Sequence, residues 1–393
     1  MRGEQALFST YARFPVTIVR GEGSRLWDDR GKEYVDFMTG IAVTGLGHAH
    51  PKLNARLREQ MEKLWHVSNL FHHPNGTRLA ELLTENSCLD HAFFCNSGAE
   101  ANEAAIKAAR RYHNLVEKTG RYEIITFLKS FHGRTLATLT ATGQDKVKEG
   151  FAPLPEGFVH VPYNDLEAVR AAVNGRTAAI MLELVQGEGG VNPADPEFVR
   201  GIDQLCKEHG LLLIVDEIQT GMGRTGSLFA YEQYGIEPDI ITLAKGLGNG
   251  IPIGAMLGKE KLYAALPAGS HGTTYGANPL ATAAAIGVLE TLLEERLPER
   301  AREMGGWMQE KLRQELAGNP FVREVRGRGL IIGIECVAPV DQVIAQAREN
   351  GLLVITAGPN VIRILPALTI PREDAERGIG ILCDVLAQAA KQA

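Results

Sequence analysis

The 393-residue chain reads as an α/β protein, a large domain with a mostly parallel sheet flanked by helices joined to a smaller α+β domain. Three observations predict this. Five short runs, "AFFCN", "EIITFL", "AAIML", "LLLIV" and "DIITL", are apolar on both faces and spaced to leave room for helices, the pattern of strands buried in a parallel sheet. From about residue 290 the texture changes to charged helical stretches alternating with "RGRGLIIGIE", "GLLVI" and "VIRILPAL". Near the start, "RLWDDRGKEYVDF" alternates apolar and polar residues around Asp28-Asp29-Arg30-Gly31, a β-hairpin with glycine in its turn.

In chain order, residues 1–50 form an N-terminal segment whose hairpin is expected to pack with the small domain. After Pro51, Leu53, Leu57, Met61 and Leu64 recur at helical spacing, opening a large domain assigned to 51–289. The small domain, 290–393, begins with a charged helix containing Trp307. No internal repeat or low-complexity linker interrupts the chain.

A chain with 45% hydrophobic and 22% charged residues can build a sizeable core, and a net charge of −6 without like-charge runs argues against nucleic acid or an acidic membrane as partner. The N-terminus lacks a continuous apolar segment, and "LLLIV" is too short to span a bilayer, so a cytoplasmic enzyme is expected. The five cysteines (Cys88, Cys95, Cys206, Cys336, Cys383) are odd in number and scattered, which fits neither a disulfide framework nor a zinc site. His48, His50 and the His72-His73 pair lack acidic or cysteine partners at ligand spacing, so no metal is expected.

Ligands of open α/β sheets gather beyond the carboxyl ends of the strands, so the strand ends carry the functional information. "AFFCNSGAEANEAA" passes through Ser97 and Gly98 into a helix; this reads equally as an ordinary cap or as a phosphate site at a helix N-terminus. "LLLIVDEIQTG" ends on Asp216-Glu217, and a carboxylate leaving a buried strand needs a polarised partner. In "KSFHGRT", Phe131 can cover a flat ring and Arg134 can grip a carboxylate bidentately, while His132 is read only as orienting the loop. "DIITLAKGLGNGIPIGA" places one lysine, Lys245, between an apolar run and a chain of glycines. Such a lysine is either a solvated loop tip or a desolvated amine with a depressed pKa, able to hold a carbonyl as a Schiff base. A phosphate site, a flat cover, a carboxylate for a ring nitrogen and a carbonyl-binding lysine, in this order, suit one small molecule: pyridoxal phosphate.

The motifs "NSGAEANEAAIKAAR", "FHGRT", "ELVQGEGGV", "VDEIQTGMGRTG", "LAKGLGNGIPIGA" and "HGTTYGANPLA" resemble, over nearly the whole chain, the class III aminotransferases of pyridoxal-phosphate fold type I. Within that family the resemblance is greatest to enzymes that move the terminal amine of N-acetylornithine to 2-oxoglutarate in arginine biosynthesis; ornithine, succinylornithine and 4-aminobutyrate remain alternative donors. The resemblance implies that Lys245 carries the cofactor and acts as base and that Asp216 pairs with the ring nitrogen. It also implies that Ser97, Gly98 and Ala99 bind the phosphate, Phe131 covers the ring, Gln219 meets its hydroxyl side, and Glu217 and Ile218 complete that stretch. Arg134 and Thr273 are implied for substrate, Arg363 for the α-carboxylate of glutamate, and Glu188 as the group masking Arg363. Thr274 is implied to reach the phosphate of a second subunit, hence a homodimer with shared sites. Leu184, Ala277 and Ala367 depart from residues usual in the family, two prolines and a glycine, without removing a chemical group. The nucleotide-binding alternative lacks both G-x-x-x-x-G-K-[ST] and G-x-G-x-x-G at the first βα turn.

Overall fold

Strands that are apolar on both faces must be covered on both, and the computed structural model, which describes residues 6–391, covers them with helices. The strands in chain order are β1 Ile18–Glu22, β2 Arg25–Asp28, β3 Glu33–Asp36, β4 His91–Cys95, β5 Glu123–Phe127, β6 Phe158–Val161, β7 Thr177–Leu182, β8 Val185–Gln186 and β9 Asn192–Pro193. They continue as β10 Leu212–Asp216, β11 Ile240–Leu243, β12 Gly254–Gly258, β13 Val322–Arg328, β14 Ile331–Cys336, β15 Leu352–Leu353, β16 Ile355–Thr356 and β17 Val361–Ile364.

The central sheet has the order β4-β12-β11-β10-β7-β5-β6. All five apolar runs lie in it, and the neighbours β11, β10, β7, β5 and β6 pair in parallel. Two strands add to the sequence reading: β6 at the edge, and β12, which runs antiparallel between β11 and β4. The opening residue of β12, Gly254, is needed there, because a Cβ would stand 2.4 Å from the Ser97 carbonyl oxygen. The backbone of β12 thus packs directly against the turn after β4.

Helix ends follow the capping rules. Asp195 accepts from the Glu197 and Phe198 N–H groups to start Pro196–His209, and Gly210, at φ +63, ends it. Ser97 starts Gly98–Arg111 by accepting from the Glu100 N–H at 3.2 Å.

The N-terminal hairpin forms with Gly31 at φ +80, and β3 pairs in parallel with β15, so N- and C-terminal segments share a sheet in the order β1-β2-β3-β15. "RGRGLIIGIE" is a hairpin of β13 and β14, and "VIRILPAL" supplies β17, antiparallel to β14 with Gly333 opposite Arg363. Position 290 lies in the helix Pro279–Glu294, and the next helix, Leu297–Glu315, starts from Arg296 at φ +51. The main core cluster runs without interruption from Val35 through Ile241 and Leu289 to Leu386. Arg224 spans both parts, donating to the Leu330 carbonyl at 3.1 Å and to Pro366, and burial pushes its pKa down to about 10. Among the described residues, no helix is long and apolar enough to cross a membrane.

Candidate active site

A cavity of about 390 Å³ opens at the carboxyl ends of the parallel strands, where the loops after β4, β5, β7, β10 and β11 converge. It brings together Ser97, Gly98, Ala99, Phe131, Arg134, Asp216, Ile218, Gln219 and Lys245 from the sequence reading.

Lys245 follows β11 by one residue and opens a single 3₁₀ turn at φ +42, a left-handed conformation that a non-glycine residue holds only when its surroundings impose it. Its amine has charged neighbours but no hydrogen-bond partner among the described residues. Burial, above all, holds the Lys245 ammonium below its ordinary range; Arg363 adds to this, while Glu188, Asp216 and Glu183 oppose it.

Asp216 ends the fully buried strand β10, and the chain beyond it turns back through the left-handed residues Met222 and Gly223. Its Oδ2 accepts from Asn102 Nδ2 and from His132 Nδ1, both at 2.8 Å, and its Oδ1 accepts from the Ile218 N–H at 3.0 Å. Asn102 is locked in turn, with its Oδ1 accepting from Thr242 Oγ1 at 2.7 Å and its Nδ2 also donating to the His132 carbonyl. Burial alone would push the His132 imidazole down, but the Asp216 and Glu183 carboxylates outweigh it and hold the ring above its usual range. His132 therefore does more than orient its loop: its Nδ1 is set directly against Asp216. Burial raises the Glu183 carboxyl, with Asp216 adding to the rise and His132 opposing it. Glu183 accepts from the Phe131 N–H at 3.0 Å and so tethers the loop that carries Phe131 and Arg134.

That loop needs Gly133, at φ +138, because a Cβ there would lie 2.5 Å from Thr138 Oγ1 and 2.9 Å from Ala99 Cβ. The Arg134 guanidinium carbon sits 5.7 Å from the Phe131 ring centroid, and its side chain is exposed at the mouth. Arg363, fully buried on β17, behaves oppositely. Its Nη1 donates to Glu188 Oε1 at 2.8 Å and to Gln219 Oε1 at 3.1 Å, and its Nη2 to the Thr356 carbonyl at 3.4 Å. The Arg363 charge and hydrogen bond overcome the effect of burial on Glu188 and hold its carboxyl below the usual range.

Five residues named from the sequence do not line this cavity within the chain: the paired Glu188 and Arg363 adjoin it through Gln219, while Glu217, Thr273 and Thr274 lie elsewhere. Successive strand residues point to opposite faces, so Asp216 entering the cavity sends Glu217 into the core. There Glu217 accepts from Thr220 Oγ1 at 2.6 Å and the Tyr231 N–H at 2.9 Å, and burial pushes it up to about 7. Thr273 instead accepts from Asn96 Nδ2 at 2.9 Å beside the Ser97 turn, and Thr274 is exposed on the surface. Asn102 and Glu183 are the residues sequence reasoning passed over. Asn102 alone had a signal: a polar residue on the helix face that otherwise buries Ala101, Ala104, Ala105 and Ala108. Of the histidines weighed as ligands, His48 pairs with Asp36 at 2.7 Å and His73 caps a helix by accepting from the Asn75 N–H.

The aminotransferase class-III family model matches residues 8–386. Acetylornithine aminotransferase of Halalkalibacterium halodurans is 54% identical over 98% of this chain and 99% of its own. Among solved structures, ornithine aminotransferase of Toxoplasma gondii, described with partial occupancy of PLP at its active site, superposes with a TM-score of 0.95 at 34% identity, covering 99% of this chain and 94% of its own. N-acetylornithine aminotransferase of Stenotrophomonas maltophilia does so with 0.85 at 38% identity, covering 98% and 99%. With a match that spans almost the entire chain, and a lysine and a carboxylate gathered in one cavity at the ends of the parallel strands, this chain belongs to the class-III aminotransferases.

Proposed function

We propose that the chain transfers the terminal amino group of N-acetylornithine to 2-oxoglutarate, giving N-acetylglutamate semialdehyde and glutamate, with pyridoxal 5′-phosphate carried on Lys245. The residues fit that cofactor. The amine of Lys245 is buried at the cavity without a hydrogen-bond partner among the described residues, Asp216 lines the same cavity, and Gly98 and Ala99 present the first turn of a helix, whose N–H groups lack intrahelical partners. When bound, pyridoxal phosphate supplies an electron sink for the carbanion formed at the amine-bearing carbon.

The chain's own residues then divide the work. Lys245 Nζ, its proton affinity lowered by burial, would hold the cofactor's carbonyl and would serve as the base that takes the proton from the amine-bearing carbon. Asp216, held by Asn102, His132 and the Ile218 N–H, would keep a proton on the ring nitrogen; Phe131 would cover the ring, and Gln219 would meet its hydroxyl side. Arg134 holds the donor's carboxylate, which places the far amine at Lys245. Glu188 neutralises Arg363 while the donor is bound, and Arg363 takes the α-carboxylate of glutamate or 2-oxoglutarate once Glu188 releases it.

The observation that carries this reading is the contrast between the two arginines: Arg134 exposed at the mouth, Arg363 buried and paired with Glu188 at 2.8 Å. A donor with one carboxylate and a distant amine meets the first without disturbing the second. The names of the relatives support the acyl preference. A homodimer fits the exposed Trp65, Leu70, Phe71 and Tyr275, of which Phe71 lines a second cavity that the chain after Tyr275 helps to form. The division of labour within the chain, and its place in the cytoplasm, belong to the same reading.

The test is a donor panel with 2-oxoglutarate. N-acetylornithine is expected to give a higher kcat/KM than ornithine, succinylornithine or 4-aminobutyrate, and another winner would reassign the substrate. Borohydride reduction followed by peptide mapping is expected to label Lys245; an unlabelled Lys245 would remove the site.

A further inference from the structure

Glu188 belongs to a loop, Gly187–Val191, that leaves β8 and returns at β9, and this loop is held in an unfavourable conformation. Val191 stands at φ +52, although a β-branched side chain crowds its own backbone there, and Gly190 stands at φ +125. Gly189 approaches Lys129 so closely that a Cβ would lie 2.3 Å from the Lys129 carbonyl oxygen. Something must hold the loop down.

Arg326 on β13 supplies the hold. Its Nε donates to the Val191 carbonyl at 2.9 Å and to that of Gly190 at 3.2 Å, and its Nη2 donates to Gly190 again at 2.7 Å. The other side of the guanidinium pairs with Glu335 on β14 and with Glu324 at 3.0 Å. Val191 rests over Gly333, where a Cβ would stand 2.8 Å from Val191 Cβ, and Gly333 lies opposite Arg363 in the β14–β17 register. Both halves of the Glu188–Arg363 pair are therefore referenced to one sheet: Arg363 directly through β17, and Glu188 through the Arg326 clamp.

We propose that Arg326 is a positioning residue that sets the Glu188–Arg363 gate, and through it the discrimination between terminal-amine donors and α-amino acids. This rests on the function proposed above. With the clamp intact, the loop keeps Glu188 on Arg363 and an α-carboxylate must displace it. Without the clamp, the loop relaxes, Glu188 leaves more readily, and Arg363 is open to any α-carboxylate.

The test uses the holoenzyme and measures the two half-reactions separately for wild type, Arg326→Met, Arg326→Lys, Glu188→Ala and the Arg326→Met/Glu188→Ala double variant. Binding of glutarate, an unreactive dicarboxylate, is measured by calorimetry. Arg326→Met is expected to lower the ratio of kcat/KM for N-acetylornithine to kcat/KM for glutamate by about tenfold and to tighten glutarate, and in the Glu188→Ala background it is expected to add little, as coupled residues do. Arg326→Lys, which keeps the charge but loses the planar fork, is expected to fall between wild type and Arg326→Met. An unchanged ratio, an equal loss in both half-reactions with unaltered glutarate affinity, or additive effects in the double variant would each overturn the proposal. If Arg326→Met does not fold, an unchanged ratio in Arg326→Lys overturns it alone. A wild-type enzyme that transfers no terminal amine would instead defeat the functional reading, a result visible before any variant is made.

Discussion

Asn102 is buried among alanines, yet it makes contacts on three sides of the site, and replacing it with alanine tests whether Asp216 is held from behind. The variant loses the hydrogen bond to Asp216 Oδ2 at 2.8 Å, the one to the His132 carbonyl at 2.8 Å and the one from Thr242 Oγ1 at 2.7 Å. A bond to a charged group contributes about 2 kcal/mol and each neutral one about 1 kcal/mol, so the folded state loses about 4 kcal/mol. The catalytic share is that of Asp216 alone, which keeps His132 and the Ile218 N–H but gains freedom to swing. About 2 kcal/mol lost in the transition state corresponds to a fall in kcat of about 30-fold. The assay is the single-turnover half-reaction with N-acetylornithine, with thermal melting run beside it. Asn102→Asp sharpens the test, because two carboxylates at hydrogen-bond distance cannot both be ionised and one must hold a proton. Its rate is expected to acquire a new dependence on pH. If Asn102→Ala melts early but keeps kcat within a factor of about three, less than 1 kcal/mol, the residue is packing alone and the reasoning fails.

The other expectations concern the gate, the core and one turn. Glu188→Ala leaves the Arg363 charge buried without its carboxylate partner, so reactivity toward α-amino groups is expected to rise relative to N-acetylornithine; unchanged regioselectivity in product analysis would count against the gate. Glu217 holds its proton up to about 7 in the folded chain against the usual 4.5, so the folded state binds more protons than the unfolded one between those values and stability falls as pH rises through that window. The shift corresponds to roughly 3 kcal/mol, and Glu217→Gln is expected to flatten the decline of Tm between pH 5 and 8. Ala277 occupies φ +60, where an L-residue is strained by about 1–2 kcal/mol, partly offset by the greater chain entropy of glycine when unfolded. Ala277→Gly is expected to raise Tm modestly, and a lower Tm would show that its Cβ contacts outweigh the strain.

What could be read from the sequence follows from the range of the interactions involved. The five apolar strands were legible because burial on both faces leaves its mark on every residue, whereas β12 is bracketed by glycines and reads as loop. Its strand state comes from pairing with β11 and β4 and from the contact of Gly254 with the Ser97 turn, none of which is local. Glu217 shows the opposite failure. It adjoins Asp216 in sequence, but strand alternation turns it into the core, so proximity along the chain misleads where face decides.

The site divides the same way. Lys245 and Asp216 announce themselves because an ionisable group at the end of an apolar strand is anomalous on its own terms. His132, Asn102 and Glu183 do not, because each acquires meaning only from the carboxylate or loop it faces. The gate lies furthest from local reading: Glu188 and Arg363 are 175 positions apart, and the clamp on Glu188's loop comes from a third element, β13. On the proposed gate, three segments that meet only in the folded chain decide which substrate reaches the buried arginine. With such a gate, selectivity is a property of how β13, β14 and β17 are registered against one loop. Substitutions in that register, with no contact to either substrate, should alter the choice between them.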